Sequence, residues 1–336
     1  MSEFDQEGTT GATGVTILGA GSLGTALAAG LWRRGRQLTL WTVEDDVADS
    51  LHSYRENVKY LPGIKIPKDV QVETDLEAAL SRAAIVLFAV PSHVVREVSQ
   101  RLAPLAPPAA TLVCAAKGLE RDTLLRMSEV IAQEVPDSGS RIVVISGPSL
   151  APELGQLVPT GVDIASDNPD LARSVRSALS VKHFRFKVRR DVPGVEAGGT
   201  FKNLYAIGAG ICDGLGLGHN TKAAMLTRAL SEMVTCARAL GGKSSTLYGL
   251  SGLGDLIVTC SSAHSRNRTL GEHIGRGHKV AEVSRGMVSV TEGVEAARSA
   301  HDLAAKHGLR IPLAETVYRI LNGDEKPEAL IKASLP

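Results

Sequence analysis

Cysteine is scarce in this chain, and the few that occur are scattered. Cys114, Cys212, Cys236 and Cys260 form no CxxC pair and no closely spaced Cys/His set, which speaks against a structural zinc site and against a disulfide scaffold. Reduced thiols in a cytoplasmic protein are the expectation, and nothing in the pattern requires a metal. Long apolar runs are missing as well. None reaches the about 20 residues that cross a bilayer, so membrane insertion is not expected. Neither sign of charge is in excess: 37 Lys and Arg face 36 Asp and Glu, a formal net charge of +1. No long-range field therefore draws the protein to nucleic acid or anionic lipid, and any recognition of an anion must be local. Residues 1–13 are small and polar, with Glu3, Asp5 and Glu7 and no apolar stretch after a basic start. They read as a disordered tail, neither signal nor transit peptide.

What is present suffices for two domains. The chain has 336 residues, 43% hydrophobic and 22% charged, an ordinary globular composition too long for one simple core. Over residues 14–194, short β-branched runs (Val15–Leu18, Leu38–Trp41, Ile85–Val90, Thr111–Ala115, Ile142–Ile145) alternate with Ala/Leu-rich stretches such as Thr25–Arg34 and Leu124–Glu134. Gly161–Ala165 and Phe184–Val188 look like further strands. The alternation predicts an α/β domain of Rossmann type, with a mostly parallel sheet covered by helices on both faces. Over residues 195–336 helical periodicity takes over, at Thr221–Leu240, Ser265–Ile274, Val294–His307 and Ala314–Asn322, and an all-α second domain is expected.

The first βα unit carries a nucleotide signal. Val15–Leu18 runs into Gly19-Ala20-Gly21-Ser22-Leu23-Gly24 and then an alanine-rich helix. Alone, G-x-G-x-x-G is weak; after a strand and at the opening of a helix it marks a dinucleotide site. Gly19 permits the tight turn, Gly21 lets the backbone approach a pyrophosphate, and Gly24 allows close helix packing, while the helix start offers N–H donors. At the end of the second strand the chain reads Trp41-Thr42-Val43-Glu44-Asp45-Asp46, with no basic side chain along it. An acid there accepts from a free 2′-hydroxyl, so NAD is favoured over NADP; Arg33, Arg34 or Arg36 are the candidates for binding a 2′-phosphate instead. His93, after Ala89-Val90-Pro91-Ser92, reads as a loop residue, and His219 and His264 as incidental.

The second signal is Gly198-Gly199-Thr200-Phe201-Lys202-Asn203-Leu204-Tyr205-Ala206-Ile207. Between Pro193 and Asp213 the only charged residues are Glu196 and Lys202, and an unpartnered buried ammonium is costly. A lysine extending to solvent from a helix start is the alternative reading. Lys117 before Gly118 could equally be a surface-turn lysine, Asp255 after Gly254 a helix cap or Asx turn, and Ser265-Arg266-Asn267-Arg268 a solvated basic turn with Ser265 as N-cap.

Five segments together decide among these: GAGSLGTALA from Gly19, AAKGLE from Ala115, ISGPSLAPEL from Ile145, GGTFKNLYAIGAG from Gly198, and GLGDLIVTC from Gly252 with SRNR from Ser265. In this order and spacing the chain resembles the bacterial-type glycerol-3-phosphate dehydrogenases, NAD(P)-dependent enzymes of the 6-phosphogluconate-dehydrogenase-like fold. The resemblance covers nearly everything after the tail. It implies that Lys202 is the general acid/base, with Lys117 and Asp255 completing the polar centre. Gly147, Ser149, Ser265, Arg266 and Asn267, with these three, would line the substrate, dihydroxyacetone phosphate or sn-glycerol 3-phosphate. Ser22, Leu23, Lys117, Ala151, Arg266, Val290 and Glu292 would touch the cofactor. It also implies a cytoplasmic homodimer serving phospholipid synthesis. Val43 departs from the pattern, because many members carry a basic residue or histidine there. Two other readings remain open at this point: a related hydroxy-acid or sugar-acid dehydrogenase on the same fold, and a non-catalytic nucleotide sensor.

Overall fold

The structure, a computed structural model, describes residues 14–285 and 291–335. The tail expected at residues 1–13 and the contact expected of Val290 lie outside the described residues.

Ten strands form: β1 (Val15–Leu18), β2 (Leu38–Trp41), β3 (Glu56–Asn57), β4 (Leu61–Lys65), β5 (Gln71–Glu73), β6 (Ile85–Phe88), β7 (Thr111–Cys114), β8 (Ile142–Ser146), β9 (Thr160–Ala165) and β10 (Phe184–Arg189). Eight of them make one sheet in the order β10-β9-β8-β7-β6-β1-β2-β5. Every pairing in it is parallel except β8 with β9. Residues of alternate parity face opposite layers: Val15, Ile17, Leu87 and Val113 enter one core, Leu18, Val86, Phe88 and Leu112 the other. Two buried faces explain why these strands read as unbroken apolar runs. Between β6 and β1 the chain order reverses, the place where open α/β sheets leave a crevice beyond their strand ends.

Several elements begin or end elsewhere than the sequence pattern implies. Helix Ser22–Leu31 opens three residues earlier than expected, because Gly21 already has extended backbone and Ser22 starts the turn. The helix expected from Leu124 begins at Met127, since Asp122 and Leu124 adopt positive φ of 68° and 59°. β6 stops at Phe88, freeing Ala89 and Val90 to border the crevice. The antiparallel pair β3–β4 and the short β5 were not anticipated: they are brief and polar, with too few apolar positions to register as strands.

The second half wraps around one helix, Val192–Gly214, most of whose residues are buried. Its small residues set the spacing of its neighbours. A Cβ on Gly210 would lie 1.9 Å from the Arg268 carbonyl oxygen, and one on Gly271 2.0 Å from that of Ile207. Helix Arg266–Gly275 is thereby drawn against the central helix. Glu196 is fixed by Arg126 Nη1 at 2.6 Å, Ser128 N at 2.9 Å and Ser128 Oγ at 2.7 Å. Burial pushes its carboxyl above the usual range while these donors oppose the shift. The charge ties the central helix to Met127–Glu134.

Candidate active site

Lys202 lies in the middle of the central helix, not at a helix start, and is 7% exposed. Its ammonium donates to Asp255 Oδ1 and, at 2.8 Å, to Thr259 Oγ1. Asp255 is wholly buried, and its other oxygen accepts from Lys117 Nζ at 2.7 Å. Lys117 also reaches the Gly147 carbonyl at 3.4 Å. One carboxylate thus holds two ammonium groups from two different parts of the chain. Burial lowers the Lys202 pKa to about 8; Asp255 opposes this and Lys117 adds to it. An amine so placed populates both protonation states near neutrality.

Local geometry accounts for each of these positions. Asp255 is the first residue of helix Asp255–Ser261, with helical backbone, so it does not cap that helix; its side chain is committed to the lysines. The π-helical turn Leu250–Gly254 precedes it, a distortion common at functional sites. Asp163, buried on β9, holds that turn by accepting from Ser251 N at 2.9 Å while pairing with Arg189 Nε at 2.8 Å. Thr259, one helical turn after Asp255, faces the same side and completes the grip on Lys202. Gly198 has no room for a side chain: its Cβ would sit 2.4 Å from the Ser251 carbonyl oxygen. Gly198→Ala is therefore expected to push the 250–254 turn away and cost about 1–3 kcal/mol of stability. Denaturant melts read this; an unshifted midpoint would mean that the turn gives way freely.

A cleft of about 850 Å³ runs from the first βα turn to this centre. Its lining takes in Gly19, Gly21, Ser22 and Leu23 of that turn, Lys117, Ser149, Ala151 and Lys202, and Ser265, Arg266, Asn267 and Glu292. A Cβ at Gly21 would meet no atom within 4 Å, so the space it would take belongs to the cleft, and no side chain caps the helix that starts there. Gly19, at φ +103°, lies against Val90, and a Cβ on Gly24 would lie 1.8 Å from the Gly19 carbonyl oxygen. Both glycines are thus required by contact, and the turn fits a pyrophosphate on backbone N–H groups. Gly147 and Asp255 stand behind the wall, acting through Lys117 and Lys202. At the far end Ser265 caps its helix by accepting from Arg268 N at 3.3 Å, as expected. The two arginines of SRNR part there: Arg268 pairs with Asp213 at 2.7 Å, and Arg266 faces the cleft. Asn267 Oδ1 accepts from Gly293 N at 3.2 Å, and Asn203 donates to Glu292 at 3.3 Å, fixing that end to helix Thr291–His307.

Residues 14–172 match the model for the N-terminus of NAD-dependent glycerol-3-phosphate dehydrogenase, and residues 191–332 match that for its C-terminus. The chain belongs to the NAD-dependent glycerol-3-phosphate dehydrogenase family. It is 46% identical over 308 residues to the glycerol-3-phosphate dehydrogenase [NAD(P)+] of Pelotomaculum thermopropionicum, covering 91% of this chain and 88% of that one. It is 43% identical to a second such enzyme from Salinibacter ruber over 95% of this chain and 93% of that one. Among solved structures, glycerol-3-phosphate dehydrogenase from Coxiella burnetii superposes with a TM-score of 0.90 at 38% identity, covering 96% of this chain and 98% of that chain.

Within this glycerol-3-phosphate dehydrogenase family member, the adenosine end of the cleft differs from the sequence expectation. Arg36 is buried and donates to the Leu31 and Ala178 carbonyls, and neither Arg33 nor Arg34 lines the cleft. The basic side chains there are Lys59 and Arg101, both distant from β2 in sequence. His264, incidental by its sequence context, also lines the cleft. Thr259 was missed, although its i, i+4 spacing from Asp255 was the signal that marks it.

Proposed function

We propose that this chain interconverts dihydroxyacetone phosphate and sn-glycerol 3-phosphate with a nicotinamide cofactor, using Lys202 as the proton donor and acceptor. The observation that carries this reading is the Lys202–Asp255–Lys117 arrangement, whose two lysines line the same cleft as a dinucleotide turn and Arg266.

The residues at Gly19–Gly24 would hold the pyrophosphate, with Ala151 and Glu292 along the rest of the cofactor. When bound, the nicotinamide supplies or accepts the hydride. Everything else falls to the chain. As the carbonyl carbon of the ketone gains the hydride, its oxygen gains negative charge, and the Lys202 ammonium transfers a proton to it, giving the secondary alcohol. Asp255 and Thr259 orient that ammonium. Lys117, held by the other carboxylate oxygen, keeps a second positive charge beside the developing oxyanion and keeps Lys202 acidic enough to donate. Arg266 and Asn267, at the start of their helix, would take the phosphate, where a guanidinium fork and helix N–H groups suit a dianion. Ser149 and Ser265 would complete the substrate wall.

The pH dependence follows from the direction of the Lys202 shift. Reduction needs the ammonium, so kcat/KM for dihydroxyacetone phosphate should fall as pH rises through about 8; oxidation needs the free amine, so kcat/KM for sn-glycerol 3-phosphate should rise through the same region. Opposite-facing profiles that share an inflection support Lys202 as the titrating group. A flat profile in both directions between pH 6 and 9 would remove it from that role.

A cytoplasmic homodimer supplying the glycerol phosphate backbone of phospholipids is the setting we infer. Twofold oligomers are the commonest kind, and no helix among the described residues is long and apolar enough to cross a membrane.

A further inference from the structure

Asp163 does not line the cleft and is wholly buried, and a buried charge persists only where it is partnered. It stands opposite Lys187 in the β9–β10 register, and Arg189, two residues on, shares that face of the sheet. One carboxylate oxygen accepts from Arg189 Nε at 2.8 Å and the other from Ser251 N at 2.9 Å. Ser251 belongs to the π-helical turn Leu250–Gly254, which Gly254 N closes by donating to the Gly249 carbonyl at 3.0 Å. The Arg189 guanidinium lies against Gly249, where a Cβ would sit 2.3 Å from Nη2. The ion pair thus touches the turn at its start and within it, and the residue that follows the turn is Asp255.

We propose that Asp163 and Arg189 are positioning residues of the acid/base centre, holding the 250–254 turn in its π register so that the Asp255 carboxylate stays between Lys202 and Lys117. The inference rests on the Lys202 proton-transfer reading given above and deepens it. A helix advances about 100° per residue, so gaining or losing one residue of register swings the next side chain to another face. A π turn carries one such extra residue and is rare without outside support. Relaxed to α-helical register, the turn would rotate Asp255 off the lysines and bring Gly254 or Leu256, neither charged, toward them. Asp163 opposes this with a charge-assisted acceptor on Ser251 N, while Arg189 neutralises the carboxylate and closes over Gly249. Lys202 reports the outcome. It faces Asp255 and Thr259 on helix Asp255–Ser261, Lys117 after β7 and Glu292 on helix Thr291–His307. Cys260 lies near as well, but burial pushes its thiol up to about 12 and it stays neutral. With Asp255 turned away, Lys202 loses the carboxylate that favours its charged form and keeps the like charge of Lys117, so its pKa falls.

The test compares Asp163→Asn, Asp163→Ala, Arg189→Ala and, as a control on the same strand, Lys187→Ala. Steady-state kinetics with NADH and dihydroxyacetone phosphate across pH 6–9 are set beside urea melts of the same full-length proteins. Asp163→Ala should lower kcat by about ten- to a hundredfold, the cost of a misplaced catalytic group. Its KM for NADH should stay within about twofold of wild type, and the inflection of the pH profile should move down by about one unit. Arg189→Ala should change both readouts in the same direction. Asp163→Asn keeps an acceptor for Ser251 N but not the charge, and should lose about fivefold or more in kcat with a downward shift of the inflection. Lys187→Ala, whose residue is exposed, should change neither. Lowered melting midpoints with unchanged kcat and inflection would assign the pair to the fold alone and overturn the proposal. If Asp163→Ala does not fold, Asp163→Asn decides: kcat within about twofold of wild type and an unmoved inflection overturn it. A wild type with no inflection in either direction removes the Lys202 reading, and this inference with it.

Discussion

Replacing Lys202 with alanine is expected to lower kcat by about 10²–10⁴-fold, the usual worth of a positioned acid/base group. Lys202 donates to Asp255 and Thr259 and to nothing that the cofactor end of the cleft depends on. Cofactor affinity should therefore change little. The fold should also survive the change, since Asp255 keeps its second partner, Lys117, and no buried carboxylate is left without a cation. The inflection near pH 8 should vanish from whatever activity remains, because its group is gone. Single-turnover rates separate this outcome from a defect in product release. A variant that keeps more than about a third of wild-type kcat would assign the proton to another group.

Arg266→Ala should act on binding energy tied to phosphate. Loss of a charge-assisted, bidentate contact costs on the order of 2–4 kcal/mol of transition-state stabilisation, about 30- to 1000-fold in kcat/KM. The loss should appear with dihydroxyacetone phosphate and be nearly absent with unphosphorylated dihydroxyacetone, which has nothing for the guanidinium to hold. Arg268→Ala provides the internal contrast: that arginine pairs with Asp213 and Glu272, so its removal should lower stability and leave discrimination between the two substrates intact. Equal losses on both substrates for Arg266→Ala would mean that it serves the fold or the cofactor.

The parts of this site that are legible in the sequence are those where one residue type answers one local demand. Gly19 and Gly24 are dictated by contacts within a single βα turn, which the G-x-G-x-x-G spacing records directly. Lys202 stands out because an isolated cation in an apolar helix needs a partner, and Ser265 because a cap is a matter of neighbouring residues. What is not legible depends on contacts between segments far apart in the chain. Arg101 meets Trp41 across sixty residues, and Lys59 reaches Glu44 through a two-stranded turn too short and polar to announce itself. Arg36 looked available for a phosphate by its place after the first helix, but packing turned it inward to two backbone carbonyls. Asp163 carries no motif; its role in holding the turn before Asp255 exists only once β9 lies beside residues 250–254. The sheet alternation was readable for the same reason as the glycines, since strands buried on both faces impose continuous apolar runs, whereas the reversed direction of β9 leaves no trace in a run of the same composition.

The most direct measurement is the initial rate of NADH and NADPH oxidation when dihydroxyacetone phosphate is added to the purified protein, with the product identified by its configuration. The account predicts stoichiometric oxidation yielding sn-glycerol 3-phosphate, with unphosphorylated dihydroxyacetone turned over far more slowly. No oxidation with either nucleotide, or equal rates with phosphorylated and unphosphorylated ketone, would contradict it.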